Sequence, residues 1–373
     1  MATGIDIQNV FHFEPFTNVP ILDLALADKP ETKPVFISWL RYALLNTGNW
    51  YLVGHGVDDQ LLGTVKELAT KVFDLPANEE NRLDESNSPH FWGLTRVGRG
   101  TTEGKRDYRE DFDLGNDLPC QWKEGDPLYV KTRPGPNLWP SKEFLPDFKK
   151  TYQVFIAEMT KLGDKIEGLI EEALELPKGT FAAYKDENVK AGGRVKIARY
   201  PPLDKLQSEG EEGPKFGVGP HKDLWLTFTL PANEHAGQEV ANPAGSWIPC
   251  PPLSGMSSFV VHIGSALESI SRGSIVATPH RAMNPASGTS HFTVYYLHEI
   301  SPHVTFADLD KGAEGLNQEL VATAKARRRW WILRNSLGKS KLQNLISAAK
   351  RTAEASSDSG EPLVHRHSGV LLI

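Results

Sequence analysis

Cysteine is scarce in this chain: Cys120 and Cys250 are the two among 373 residues, far apart and in no metal-type pair. That count argues against a disulfide framework and fits a reducing compartment. Long apolar runs are missing too, and none approaches the ~20 residues needed to span a bilayer. The first residues, MATGIDIQNVFHFEPF, hold no basic stretch followed by an apolar core, so no secretory signal is read there. Positive charge is not in excess: 41 Lys and Arg against 47 Asp and Glu leave a net charge of −6. Neither a nucleic-acid footprint nor a membrane partner is expected. Repeats and low-complexity blocks are also absent. What is present, 39% hydrophobic and 24% charged residues, is the profile of a globular protein, expected to be soluble and cytoplasmic.

The hydrophobic period organises the rest. Val19 to Leu24 reads as a short strand, Pro34 to Thr47 as a helix stopped by Gly48, and Asn49 to Val53 as a strand closed by Gly54-His55-Gly56. A second helix spans Asp59 to Phe73. Residues 86–145 are rich in Gly, Pro and charge and read as long loops with a few strands. Apolar residues at helical spacing predict the longest helix over Asp147 to Leu176, with Asp147 as N-cap and Pro177 marking its end. From Arg194 to about His303 short β-type runs (Val195–Tyr200, Leu224–Leu230, Ser258–Ile263, His291–Leu297) are separated by Gly/Pro turns. That texture predicts an antiparallel barrel or sandwich. Residues 315–351 look helical and carry nine Lys and Arg against one acid, Glu319.

His221-Lys222-Asp223 opens the β-rich region, directly after Gly217-Val218-Gly219-Pro220. Residues i and i+2 of a strand share a face, so this His and this Asp can reach one ion. His12-Phe13-Glu14 is the nearest imitation and lacks the β context. Two imidazoles and one carboxylate on one face of an octahedron leave three positions open, as non-haem Fe(II) oxygenases require for O2 and a further ligand. The second histidine must come from a neighbouring strand. His280, in Ala277-Thr278-Pro279-His280-Arg281, competes with His262, in Val260-Val261-His262-Ile263. His262 alternates with apolar residues and reads as a core histidine, which favours His280.

From Val19 to Pro302 the ordered motifs resemble the isopenicillin-N-synthase-like branch of the Fe(II)/2-oxoglutarate-dependent oxygenases. Gly48 to Gly56 is similar to the family's N-terminal strand. Phe91-Trp92-Gly93, Thr101 to Lys105 and Asp107-Tyr108-Arg109-Glu110 are similar to its middle region. Arg199-Tyr200-Pro201-Pro202 resembles the strand leading to the metal motif, and Gly237-Gln238-Glu239-Val240, Gly245-Ser246-Trp247 and Pro251-Pro252 follow in order. Ala277 to Arg281 falls where the family has its distal ligand, which strengthens His280. The resemblance implies a mixed α/β fold with a distorted double-stranded β-helix (jelly-roll) core and flanking helices. Residues 1–190 are then an N-terminal α/β region, 191–305 the core and 306–373 a C-terminal helical extension of one globular unit. It also implies Fe(II) on His221, Asp223 and His280, with 2-oxoglutarate and O2 consumed. The implied reaction oxidises a C–H bond of a small-molecule substrate, by hydroxylation, desaturation or oxidative cyclisation, in secondary metabolism.

One motif departs from the family. Its anchor for the distal carboxylate of 2-oxoglutarate is an Arg-x-Ser pair, and the matching positions here are His291 and Thr293. Threonine keeps a hydroxyl, but imidazole lacks the permanent charge and the bidentate fork of a guanidinium. Three readings follow. A protonated His291 binds the carboxylate; another cation (Arg281, Lys196 or Arg199) supplies the charge; or the substrate itself supplies the electrons and 2-oxoglutarate is not used. Tyr200 resembles the family tyrosine that hydrogen-bonds the co-substrate. Trp225, two residues past Asp223, is read as a wall of the substrate pocket or as a core tryptophan. Arg96 and Tyr108 are further pocket candidates, and Arg96, with Arg99 and Lys105, is alternatively plain loop charge. Arg327-Arg328-Arg329-Trp330-Trp331 reads as a basic helix docking on an acidic body. A non-catalytic relative is disfavoured, because all three metal positions are intact.

Overall fold

The computed structural model describes residues 15–126, 130, 135–185, 193–206, 216–235, 237–301, 303–325 and 327. Strand β1 (Ile21–Asp23) and helix α1 (Lys33–Asn46) lead into β2 (Asn49–Val53), followed by α2 (Asp59–Lys71) and α3 (Ala77–Leu83). Between α1 and β2 the chain turns at Gly48 with φ +65°, where a Cβ would lie 2.1 Å from the Val276 carbonyl oxygen. Only glycine passes so close to that backbone. Asp58 starts α2, its carboxylate accepting from the Gln60 amide at 2.6 Å.

The Gly-rich region contributes β3 (Gly93–Thr95), a small hairpin of β4 (Thr101–Thr102) and β5 (Lys105–Arg106), and β6 (Glu110–Leu114). Helix α4 (Phe148–Ala173) runs for 26 residues and buries Phe148, Tyr152, Phe155, Met159, Ile166 and Ile170 along one stripe. Asp147 does stand at its N-cap position, but its side chain makes no capping hydrogen bond.

The core strands are β7 (Arg194–Tyr200), β8 (Val218–His221), β9 (Leu226–Pro231), β10 (Gln238–Ala241), β11 (Trp247–Pro249), β12 (Phe259–Ile263), β13 (His280–Ala282) and β14 (His291–His298). With β1, β2, β3 and β6 they form two sheets, β1-β2-β12-β9-β14-β7-β6-β3 and β11-β10-β13-β8. This is a jelly-roll with flanking helices, a mixed α/β fold. Successive side chains of the large sheet part company. Val195, Ile197, Phe228, Val261, Val294 and Tyr296 join the apolar core that also holds the α1, α2 and α4 stripes. Lys196, Thr227, Tyr295 and Leu297 face a cavity beside the small sheet.

Strands from before residue 190 sit at both edges of the large sheet, so the division expected at 190/191 crosses one continuous sheet. Residues Phe16–Ala324 form one compact unit. Residues 318–325 are helical, and the basic run lies outside the described residues except for Arg327. No helix among the described residues is long and apolar enough to cross a membrane.

Candidate metal centre

Strand β8 ends at His221 and pairs with β13 so that His221 lies opposite His280, the two rings 4.3 Å apart. Asp223 follows in a turn beyond the strand. The Ser265 amide donates to the Asp223 carbonyl at 2.7 Å and the Ser265 hydroxyl at 3.2 Å, which fixes that turn. The Asp223 carboxylate then sits between the rings, with Oδ1 3.6 Å from His221 Nε2 and Oδ2 3.5 Å from His280 Nε2. One donor atom from each of the three lies within 4.8 Å of the others.

The protons are arranged to leave these atoms free. His221 Nδ1 lies 2.8 Å from the Gly219 carbonyl oxygen and His280 Nδ1 lies 3.4 Å from that of Thr278. A carbonyl only accepts, so each ring donates from Nδ1 and keeps its Nε2 lone pair available. Asp223 Oδ2 is buried with no hydrogen-bond partner. Burial favours the neutral carboxyl, yet the surrounding His280, His262 and His221 hold Asp223 below the usual carboxylate range. Burial pushes His280 down, towards the neutral form that ligation needs. Two available imidazole lone pairs and one unpaired carboxylate oxygen fit a divalent metal, whose charge compensates a buried anion. His262 stacks on the His280 ring at 4.3 Å and meets the Gln238 side chain at 2.6 Å, so it backs that ring from behind.

A cavity of about 190 Å³ adjoins the three residues, and Arg109, Lys196, Thr227, Gln238, Tyr295 and Leu297 are among its lining. Spacing alone did not single out Arg109, which lies in a loop entering β6. Tyr295 and Leu297 were legible, since they share a strand face with His291 and Thr293.

Several sequence-predicted residues lie elsewhere. Trp225 is 1% exposed and turned into the core, donating from Nε1 to Glu167 on α4 at 2.5 Å and packing edge-on to Phe181. The residues joining Asp223 to β9 bend, so the two-residue parity that would point Trp225 at the metal is lost. Arg281 borders the cavity, but Glu239 holds its guanidinium at 2.6 Å over the Trp247 ring. As the strand neighbour of His280 it faces the opposite way. Arg96 is tied to Glu80, Asn81 and Asp84 around α3 and is not part of the cavity lining. Tyr108 is buried outside the lining; its backbone bonds Phe216 and Asn284 and so fastens the segment carrying Arg109.

His291, Thr293 and Tyr200 do meet one another, but they close on themselves. His291 Nε2 bonds the Thr293 hydroxyl at 2.8 Å and its ring stacks on Tyr200 at 5.2 Å. Tyr200 in turn shares a 2.7 Å hydroxyl contact with Tyr295. Burial pushes the His291 pKa down to about 4, and nearby His235 adds to the shift. A neutral imidazole there carries no charge for a carboxylate.

The family model described as 2OG-Fe(II) oxygenase superfamily matches residues 193–299, and that of the non-haem dioxygenase in morphine synthesis N-terminal region matches 19–142. The 2-oxoglutarate-dependent dioxygenase frbJ of a Dothideomycetidae species is 36% identical, over 84% of this chain and 83% of its own length. A 2-oxoglutarate-dependent dioxygenase of Gibberella zeae is 32% identical over 73% of this chain and 70% of its own. A full-length Neurospora crassa protein solved in complex with alpha-KG and thymine shares the fold, with TM-score 0.61 at 17% identity over 83% of this chain and 96% of that one. The chain belongs to the 2OG-Fe(II) oxygenase superfamily. It is a non-haem Fe(II) dioxygenase with 2-oxoglutarate and O2 as co-substrates.

Proposed function

We propose that His221, Asp223 and His280 hold the iron of an oxygenase that oxidises a C–H bond of a small metabolite. The carrying observation is the unpaired Asp223 Oδ2 facing an imidazole nitrogen whose ring proton is already directed at a backbone carbonyl. Bound there, Fe(II) supplies O2 activation driven by oxidation of the keto acid. The chain's own part is positional. Gly219 and Thr278 hold the ligand tautomers, His262 backs one ring, and the cavity walls decide which carbon faces the metal. Hydroxylation, desaturation or oxidative cyclisation at that carbon is the reaction class. Secondary metabolism is its setting, supported by the fungal dioxygenases among the relatives. Two cysteines and an ordinary charge balance support a cytoplasmic location. Residues 191–305 supply the three ligands, within the compact unit Phe16–Ala324.

An anaerobic titration of the Fe(II)-loaded protein with 2-oxoglutarate tests this reading. A visible metal-to-ligand charge-transfer band is expected in the wild type and is lost together with iron in His280→Ala. A band that survives in His280→Ala overturns the ligand assignment and brings His262 forward.

A further inference from the structure

We infer that Arg109, entering the barrel from the loop before β6, takes the distal carboxylate of 2-oxoglutarate in place of the residue at position 291. This rests on the co-substrate reading above and concerns which side chain answers it.

The cavity beside the three proposed ligands needs a cation that is aimed inwards and that its own carboxylate partners hold least tightly. Arg281 borders the cavity, yet its guanidinium is held by Glu239 at 2.6 Å over the Trp247 ring. Arg199 is held by Glu110 and the Phe73 carbonyl, among the residues of the helical face. Lys196 reaches the cavity, but two carboxylates engage its ammonium, Asp113 at 2.7 Å and Asp111 at 3.2 Å. Arg109 differs from all three. Its side chain is 15% exposed, and it too stands beside two carboxylates, with Asp111 Oδ2 3.1 Å from Nε and Asp107 Oδ2 at 3.6 Å. Both contacts are longer than the shortest ion pair of each of the other three, and the Nε contact is not an aligned hydrogen bond. A planar fork of five donors, only loosely engaged, is what a carboxylate fits.

Its neighbours point the same way. The Tyr295 hydroxyl, 2.7 Å from that of Tyr200, shares the cavity lining with Arg109. A carboxylate on the guanidinium therefore has a phenol beside it. Position 291 has no room to compete. A Cβ on Gly237 would stand 3.2 Å from the His291 ring and 2.7 Å from the Met283 carbonyl oxygen, so the imidazole fills its niche.

The test compares two keto acids on the Fe(II)-loaded full-length protein without O2, after iron content has been measured for each variant. 2-Oxoglutarate is titrated beside 2-oxopentanoate, which has the same metal-binding end and a methyl group where the distal carboxylate would be. Arg109→Gln is expected to weaken 2-oxoglutarate by roughly 10- to 100-fold and 2-oxopentanoate by less than about threefold. Arg109→Lys keeps a charge opposite Asp107 and Asp111, preserves the fold and gives an intermediate loss confined to the dicarboxylate. His291→Gln leaves the preference for the dicarboxylate within about twofold of wild type. Equal weakening of both keto acids by both Arg109 variants, or loss of the preference in His291→Gln, overturns the assignment. A wild type that binds iron and gives a band with neither keto acid overturns the co-substrate reading itself, and this assignment with it.

Discussion

Two groups of histidine and carboxylate in this molecule look alike on paper and differ in every surrounding contact. His221, Asp223 and His280 form one; Asp164, Glu167 and His298 form the other. In the first, among the described residues, no Lys or Arg ion-pairs with the carboxylate. In the second, Lys185 lies 2.7 Å from Glu167 Oε1, the Trp225 indole N–H donates to the same oxygen, and Asp164 is 64% exposed. The second group already contains its cation. Burial disfavours the His298 imidazolium, but the Asp164 and Glu167 carboxylates outweigh it and raise the pKa. In the first group the imidazoles present lone pairs to a common point; in the second the imidazole presents a proton. A donor set becomes a metal centre through what is left out around it.

The largest effect that separates the two groups is on iron. Asp223→Asn is expected to lower iron affinity by roughly 100-fold or more, while Glu167→Gln, which keeps an oxygen to accept from the Trp225 indole, leaves the iron stoichiometry of the folded protein at the wild-type value. Iron content after desalting measures it, and an Asp223→Asn protein that keeps its iron sinks the contrast. Stability responds the other way round. Glu167→Gln strands the Lys185 ammonium and the His298 imidazolium and costs about 2–4 kcal/mol, read from urea denaturation of the apoprotein. If Asp223→Asn costs the apoprotein as much, the two groups do the same structural job.

The pH dependence sharpens the comparison a step further. His298, with its raised pKa, contributes stability that is complete below pH 6.5 and is lost as pH rises through that raised value. His291, lowered to about 4, does the reverse: its contribution is complete above pH 6.5 and is lost as pH falls towards 4. Between pH 7 and pH 5 this one proton costs about 2 kcal/mol, so His291→Phe should flatten the acid limb of the stability profile by that amount. An acid limb as steep in the variant as in the wild type removes His291 from the account. The smallest effect is expected at Arg96, where replacement by alanine changes stability by less than about 1 kcal/mol and leaves iron binding alone, because its ion pairs are partly exposed.

Much of the centre was legible because it is local. The triplet His221-Lys222-Asp223 and the β texture around His280 need no long-range knowledge, and period two keeps His262 on an apolar strand. Arg281 shows a rule available but not applied: next to an inward His280, a strand residue must face outwards. Trp225 takes the second of its two readings, a core tryptophan: the chain bends before β9, so its spacing from Asp223 does not carry it to the metal, and nothing in Leu224-Trp225 announces that bend. Arg109 was out of reach for a third reason. Its place in the cavity follows from β6 pairing with β7 at the edge of the barrel, a contact that the local spacing does not encode.

The turn that carries Asp223 is pinned from three directions: Ser265 holds its carbonyl, the Gly264 amide holds the Trp225 carbonyl, and Glu167 on α4 holds the Trp225 indole. Ligand geometry and the docking of the longest helix therefore make one cooperative unit. Loosening α4 removes one of the contacts that pin the turn and is therefore expected to loosen the carboxylate it carries. Iron retention then becomes a gauge of global integrity, and slow amide exchange along α4 a gauge of how well the centre is formed.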